Sequence, residues 1–525
     1  MTCKGHERSS ESSTLHSTEA GATNGAQIAH AMQYYRELFT RAGVEIREGA
    51  ATSGAQGTAA RHIILVQTQG YVPVCPLRTD AQDSDDALRG WVRGGLTDTG
   101  GQTFYVLETA MAFARMGRRV TILAQRFGDA PAVVQWVPGV DIVRIPPAGI
   151  AAGTQQFSFV RKEDLYATID PMAIDAIAVA RLVGAQGIVG NYADGGAIAL
   201  RIARALSIPM IFIAHSLGYT KMMRFGFDPK NPERFFAQQS EEVASLNFKA
   251  RIDVESEVIR ATDYIVSNSP EELEVFQKNY GIPVRRHEVL PAGVAAAFYR
   301  AQETTPDDDF PRQYGLTPGS YFVGWGRLGR MKNVPTQVEI LKTLRERYPS
   351  TYATVKLAIV GGDPAKPEPG EEELVAQDLA AMLKKTGLKL GDDVVRIPSL
   401  NHERIAKLAT HALGYVGTQT FEPFGMAAAE NLAAGAGITV VSERAGIANW
   451  LKDRVSGVLI DPLDPADAAS KIHEALADRA RRTAMVRAGV EVAKGFTWDG
   501  IAARQAQILD MLRGCRATCT QKDDV

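Results

Sequence analysis

Thr420-Phe421-Glu422-Pro423-Phe424-Gly425-Met426-Ala427-Ala428-Ala429-Glu430 is the stretch on which the reading of this chain turns. It holds two carboxylates eight residues apart, the first beside a proline suited to open a helix and the second further inside it. At roughly 1.5 Å of rise per residue the pair spans about 12 Å. That is comparable to the separation of a sugar ring and a ribose in a folded nucleotide-sugar. Carboxylates accept hydrogen bonds from vicinal hydroxyls. The open N–H groups after Pro423 suit a sugar oxygen or a phosphate. In isolation the same residues also describe an ordinary amphipathic helix with two solvated glutamates.

Other segments weigh against that plainer description. Gly326-Arg327-Leu328-Gly329-Arg330-Met331-Lys332-Asn333 follows directly on the apolar run Tyr321-Phe322-Val323-Gly324-Trp325. A strand running into a glycine turn that carries Arg327 and Lys332 is a cradle for a diphosphate. Upstream lie Asp98-Thr99-Gly100-Gly101-Gln102, Tyr192-Ala193-Asp194, Ala214-His215-Ser216-Leu217-Gly218 and Asn247-Phe248-Lys249. Taken together and in this order, these motifs resemble the retaining family 4 glycosyltransferases of the sucrose-phosphate synthase and mannosylfructose-phosphate synthase type. The resemblance runs from about residue 63 to about residue 512. It implies a GT-B fold, with two Rossmann-like domains facing each other across a cleft.

Composition sets the outer bounds. With 525 residues, 45% of them hydrophobic, there is enough chain for two or three domains with cores of their own. The formal net charge of −2 points to no polyanionic partner, so nucleic acid is not expected. No apolar run approaches the roughly 18 residues of a membrane span. The polar start MTCKGHERSSESSTLHSTE has no apolar signal segment. Four cysteines, Cys3, Cys75, Cys515 and Cys519, do not make a disulfide framework and fit a reducing cytoplasm. Cys515 and Cys519 lack a second ligand pair, so no metal site is expected there.

Residues 1–60 read as a disordered or partly helical extension, with helical spacing of Ile28, Met32, Tyr35 and Leu38 over residues 26–46. Residues 61–300 read as an acceptor-binding Rossmann-like domain and residues 301–496 as a nucleotide-sugar-binding one. Residues 497–525 read as a helix crossing back, then a polar tail. In each half, apolar runs alternate with helical patterns, which means a parallel sheet covered on both faces. The motifs fall at the C-terminal ends of those runs, where ligands bind in doubly wound sheets.

The resemblance assigns roles residue by residue. Arg327 and Lys332 hold the departing diphosphate, where preorganised positive charge helps most. Glu422 meets the donor sugar and Glu430 the ribose. Phe424, Gly425 and Met426 lie against the donor, with the N–H groups of Gly425 and Met426 orienting its sugar, and Gly101 touches its phosphate. His215 stands beside the reacting sugar. Gly100 and Gln102 face the acceptor, and Lys221, Lys249 and Arg251 are candidates for an acceptor phosphate. The nucleotide-sugar is a co-substrate, so no cofactor and no metal are expected.

Some positions depart from the family pattern. Gly329 stands where relatives usually have Asp, and Asn431 where they usually have Ala. Such changes alter the walls around donor sugar and base. The expected reaction is transfer of a hexose from UDP-glucose or GDP-mannose to a sugar phosphate such as fructose 6-phosphate. Transfer to an aminocyclitol or other small polyol is the alternative. A nucleotide-sugar epimerase and a non-catalytic binding protein are more distant ones. The loop over residues 71–96 is a candidate acceptor lid.

Overall fold

The computed structural model describes residues 17–46, 61–70, 72, 101–128, 130–150, 159–161, 163–223, 232–238, 240–303, 309–367 and 370–520. Gly100, Cys3, Cys75 and the expected lid, apart from Val72, lie outside the described residues.

Two sheets organise the chain. The first contains β1 (His62–Gln67), β2 (Arg119–Gln125), β3 (Val133–Val137), β4 (Val140–Ile145), β5 (Gly187–Asn191), β6 (Met210–Ile213), β7 (Tyr264–Ser267) and β8 (His287–Val289). Their order is β3-β4-β2-β1-β5-β6-β7-β8. The second contains β9 (Tyr321–Trp325), β10 (Lys356–Val360), β11 (Val394–Ile397), β12 (Gly414–Gly417), β13 (Ile438–Ser442) and β14 (Val458–Ile460), in the order β11-β10-β9-β12-β13-β14. In each, the first strand of the parallel set sits inside the sheet, with the strand order reversing beside it. That reversal opens a crevice at the strand ends. The central strands read as apolar runs because both faces are covered: all six residues of β1 and all five of β9 are buried.

The first sheet is not wholly parallel. β3 pairs antiparallel with β4 through a hairpin whose turn contains Pro138 and Gly139. β3 is an edge strand, buried at Val133 and Trp136 and exposed at Gln135, with a register irregularity between Gln135 and Val137. The sequence reading missed this hairpin, although Pro-Gly between two β-branched runs is a turn signal.

Eight helices bear on the site or on the packing behind it. They are α1 (Ser17–Ala42), α2 (Gly101–Arg115), α3 (Ile169–Leu182), α4 (Tyr192–Leu206), α5 (Phe248–Ala261), α6 (His402–His411), α7 (Met426–Ala434) and α8 (Trp498–Thr520). α8 follows the second sheet in sequence yet packs on α2 of the first. Arg118 holds Asp510 through two hydrogen bonds of 3.0 and 2.7 Å, and Gln505 Nε2 donates to Tyr105 Oη at 2.8 Å. One apolar cluster runs continuously from Phe113 and Tyr105 through Trp498 and Phe496 to Phe424 and Trp325, so the two sheets share a core.

α1 begins at Ser17, earlier than the apolar spacing indicates, and lies along α3. The buried face is Ile28, Ala31, Tyr35 and Phe39, while Met32 and Leu38 sit at its margin. The stripe is rotated relative to the sequence reading because Ala31 and Phe39 complete the i, i+4 row through Tyr35. Tyr35 Oη donates to Asp175 Oδ2 at 3.2 Å, and the Ile150 N–H donates to the same oxygen at 3.0 Å.

Burial raises the Asp175 carboxyl to about 7 despite those two bonds. The folded chain therefore holds this proton more tightly than the unfolded chain does. The stability tied to it is present below the ordinary carboxylate range and is lost as pH rises towards 7. Asp175→Asn should remove that slope, so the variant gains on the parent between pH 5 and pH 8 in chemical unfolding. A difference that stays constant over this range would contradict the assignment.

Candidate active site

The turn after β9 is built by glycine. Gly326 has φ +133°, and its N–H donates to the Val360 carbonyl at 3.1 Å. The turn then carries Arg327 to the surface and folds Lys332 back. Lys332 Nζ forms an ion pair with Glu422 Oε2, and each side chain is about a quarter exposed or less. The Thr420 N–H donates to the Met331 carbonyl at 2.9 Å, and Thr418 Oγ1 donates to the carbonyls of Lys332 and Asn333. The two segments singled out in the sequence are thus laced together at the ends of neighbouring strands β9 and β12.

Helix α7 starts at Met426, not at Pro423. Gly425 caps it with φ +116°, a conformation that suits glycine. Glu422 consequently lies before the helix, in a bridge to Ala445, while Glu430 is the fifth helical residue. The spacing of about 12 Å along one helix does not apply. Phe424 turns inward, 4% exposed, against Trp450 and Phe496 at ring distances of 5.7 and 5.2 Å. Its side chain is part of the shared core and not of the cleft wall, because an aromatic ring at this bend has more apolar surface to bury on that side.

Glu430 is 5% exposed. Its Oε2 accepts from Trp325 Nε1 at 2.7 Å, and its Oε1 lies 3.8 Å from His402 Nε2. Burial raises its carboxyl to about 7, against the pull of the Trp325 hydrogen bond and the Lys332 charge. Trp325 stacks on Phe298, and His402 contacts both Phe298 and Phe104 of α2. Neither Trp325 nor His402 was singled out as a site residue from sequence. Trp325 was read only as a strand end, where a buried indole needs a hydrogen-bond acceptor.

The first sheet supplies the opposing wall. α2 begins at Gly101, and a Cβ there would lie 3.4 Å from Met426 Sδ. The N-terminal ends of α2 and α7 therefore meet across the cleft. Gln102 Nε2 donates to Gln67 Oε1 at 2.6 Å at the end of β1. His215, just past β6, has φ +55°. Its Nε2 pairs with Asn191 Oδ1 at 2.9 Å, and its ring sits edge-on to Tyr105 at 4.8 Å. Burial pushes its imidazole well below the usual histidine range, so the ring is neutral near pH 7.

The three acceptor-side cations differ in their surroundings. Lys221 Nζ donates to Tyr192 Oη at 3.2 Å, close to the His215 turn. Lys249 is exposed and pairs with Asp253 one turn along α5. Arg251 is buried and bound to Glu255 at 2.8 Å. Lys221 and Arg251 both lie against the Tyr192 ring, at 5.5 and 4.4 Å from its centre, whereas Lys249 points to solvent with Asp253.

Trp325→Phe should leave Glu430 Oε2 without its donor, a loss of roughly 1–3 kcal/mol when the carboxyl is charged. The loss should be larger at pH 8 than at pH 6, where the protonated carboxyl needs the donor less. Thermal unfolding at the two pH values measures it, and equal losses would contradict the pairing.

The comparisons with known proteins agree with the two-sheet fold. Residues 99–298 match the model of "Glycosyltransferase Family 4", and residues 308–492 match that of "Glycosyl transferases group 1". Mannosylfructose-phosphate synthase of Agrobacterium fabrum is 27% identical over 480 residues, covering 89% of this chain and 94% of the relative. D-inositol 3-phosphate glycosyltransferase of Nocardiopsis dassonvillei is 27% identical over 435 residues, covering 81% and 91%. Among solved structures, sucrose-phosphate synthase of Thermosynechococcus elongatus superposes with a TM-score of 0.67 at 21% identity, covering 87% of this chain and 100% of that one. The two family models together span well over half of the chain and take in both sheets. The chain is a GT-B glycosyltransferase of the family 4 type, resembling the sucrose-phosphate and mannosylfructose-phosphate synthases.

Proposed function

We propose that this enzyme moves a hexose from a nucleotide-sugar, UDP-glucose or GDP-mannose, to a phosphorylated polyol such as fructose 6-phosphate, with retention at the anomeric carbon. The observation that carries the reading is the Lys332–Glu422 pair in the turn region after β9, just before α7, whose first residue Met426 meets Gly101 of α2. Helix N-termini favour phosphate, both by dipole and by open N–H groups. Cleaving the sugar–diphosphate bond leaves negative charge on the diphosphate. Arg327 and Lys332 would stabilise it without a metal.

Lys332 and Glu422, paired with each other, can each turn to the donor. A bound diphosphate gives Lys332 a new anion and leaves Glu422 to accept from sugar hydroxyls. Glu430 would take the ribose hydroxyls in the same way, with Trp325 holding one of its oxygens. Neutral His215 is suited to hydrogen-bond the donor sugar and not to act as the base. In a same-face substitution the departing phosphate oxygen takes the acceptor proton.

The similarity to a mannosylfructose-phosphate synthase and to inositol 3-phosphate glycosyltransferases supports a phosphorylated acceptor, fructose 6-phosphate or an inositol phosphate. A second reading, an unphosphorylated cyclitol, is favoured by Lys249 and Arg251 being engaged elsewhere.

The test is nucleoside-diphosphate release from UDP-glucose and GDP-mannose, each with fructose 6-phosphate, inositol 3-phosphate, myo-inositol or no acceptor. Release that depends on one of the phosphorylated acceptors is the expected result. Dependence on myo-inositol alone would move the assignment to the second reading. No release from either donor under any condition would overturn the donor assignment.

A further inference from the structure

His215 occupies a left-handed backbone conformation that a non-glycine residue rarely adopts, and the Ser216 N–H closes the turn onto the Ala214 carbonyl at 2.6 Å. Such strained turns persist only where the surroundings over-determine them, and they gather at functional sites. The structure supplies a holder for this one. On α5, Arg251 and Glu255 form a buried ion pair, with side-chain exposures of 4% and 1%. Both partners reach the turn that contains His215. Arg251 Nη2 donates to the Ser216 carbonyl at 2.7 Å and to Ser216 Oγ at 3.3 Å. Glu255 accepts from the Gly218 N–H at 3.0 and 3.3 Å.

The pair is itself held from three sides. Tyr280 Oη donates to Glu255 Oε2. The Arg251 guanidinium lies over the Tyr192 ring at 4.4 Å. Gly218 has no room for a side chain, since a Cβ there would lie 2.7 Å from Ile252 Cδ1 and 2.9 Å from Glu255 Oε2. Two charges taken out of water are costly unless every lone pair and proton finds a partner. Here several of those partners are the backbone of residues 216 and 218. A buried ion pair does not need to engage a loop in order to fold a helix onto a sheet. This one does engage it, each partner holding a group just after the residue expected at the donor sugar.

We propose that Arg251 and Glu255 are positioning residues for the transfer reaction. They clamp the 215–218 turn so that His215 is presented to the cleft in one orientation. Arg251 thus acts through the turn and not on an acceptor phosphate. The inference rests on the proposed transferase reading, and one of its readouts is independent of turnover.

Arg251→Lys keeps the charge but removes the planar fork that serves Glu255 and Ser216 together. Tyr280→Phe is the milder companion, which only loosens Glu255. Each is compared with the parent by amide hydrogen exchange over residues 214–218 and by steady-state kinetics with the accepted donor and acceptor. The expected result for Arg251→Lys is faster exchange over the turn, a kcat about tenfold lower, and KM for both substrates within about twofold. For Tyr280→Phe the same pattern is expected at about threefold in kcat. If Arg251→Lys does not fold, Tyr280→Phe decides on the same readouts. Faster exchange with kcat unchanged would make the clamp merely structural. Unchanged exchange, or an acceptor KM that rises at constant kcat, would overturn the proposal, the latter by making Arg251 an acceptor ligand. A parent enzyme that turns over no donor would instead defeat the transferase reading, while exchange over the turn still reports whether the clamp exists.

Discussion

Two helices, one from each sheet, begin within side-chain contact of each other, and the rest of the site is arranged around that meeting. Gly101 of α2 stands against Met426, the first residue of α7: a Cβ at Gly101 would lie 3.4 Å from the Met426 sulfur. Neither helix could be placed there without the shared core behind it. Phe424, Trp450 and Phe496 fill the junction on one side, and Phe104, His402, Phe298 and Trp325 fill it on the other. α8, crossing from the second sheet to α2, ties the two halves at a distance from the cleft.

The electrostatics follow from that geometry. Lys332 is paired with Glu422, and its charge also acts on Glu430 of α7. The two glutamates differ in environment. Glu422 is half-buried and already paired with a lysine, whereas Glu430 is deeply buried and meets an indole N–H and a neutral imidazole. Burial raises the Glu430 carboxyl to about 7, and the Trp325 hydrogen bond together with the Lys332 charge pulls it back towards the charged form. His215 and its turn, braced from below by Arg251 and Glu255, complete the wall on the side of the first sheet.

Much of this was legible in the sequence. The buried parallel strands announce themselves as apolar runs, and β9 coincides with the run Tyr321–Trp325 read from the sequence. The glycine turn after β9 and its basic residues were equally visible, because a strand that ends in Gly-Arg has few other uses. What escaped depends on tertiary neighbours. α7 starts only at Met426 because the chain turns at Gly425 through φ +116°, which a sequence reading centred on Pro423 did not foresee. The fate of Arg251 is decided by Glu255 one turn later on the same helix, a pairing that an i, i+4 reading of α5 could have suggested. Trp325 and His402 carry no motif at all. Their place beside Glu430 exists only once β9, α6 and α7 are packed together.

Everything proposed for the chemistry depends on the cleft between α2 and α7 holding a diphosphate by protein charge alone. Isothermal titration of UDP, GDP, UMP and GMP in the presence of a chelator measures this, with Arg327→Ala as the control. One diphosphate should bind at least about tenfold more tightly than its monophosphate, a difference of about 1.4 kcal/mol. Arg327→Ala should abolish that difference. Equal affinity for diphosphate and monophosphate, or a preference unaffected by Arg327→Ala, would contradict a diphosphate site built on these residues.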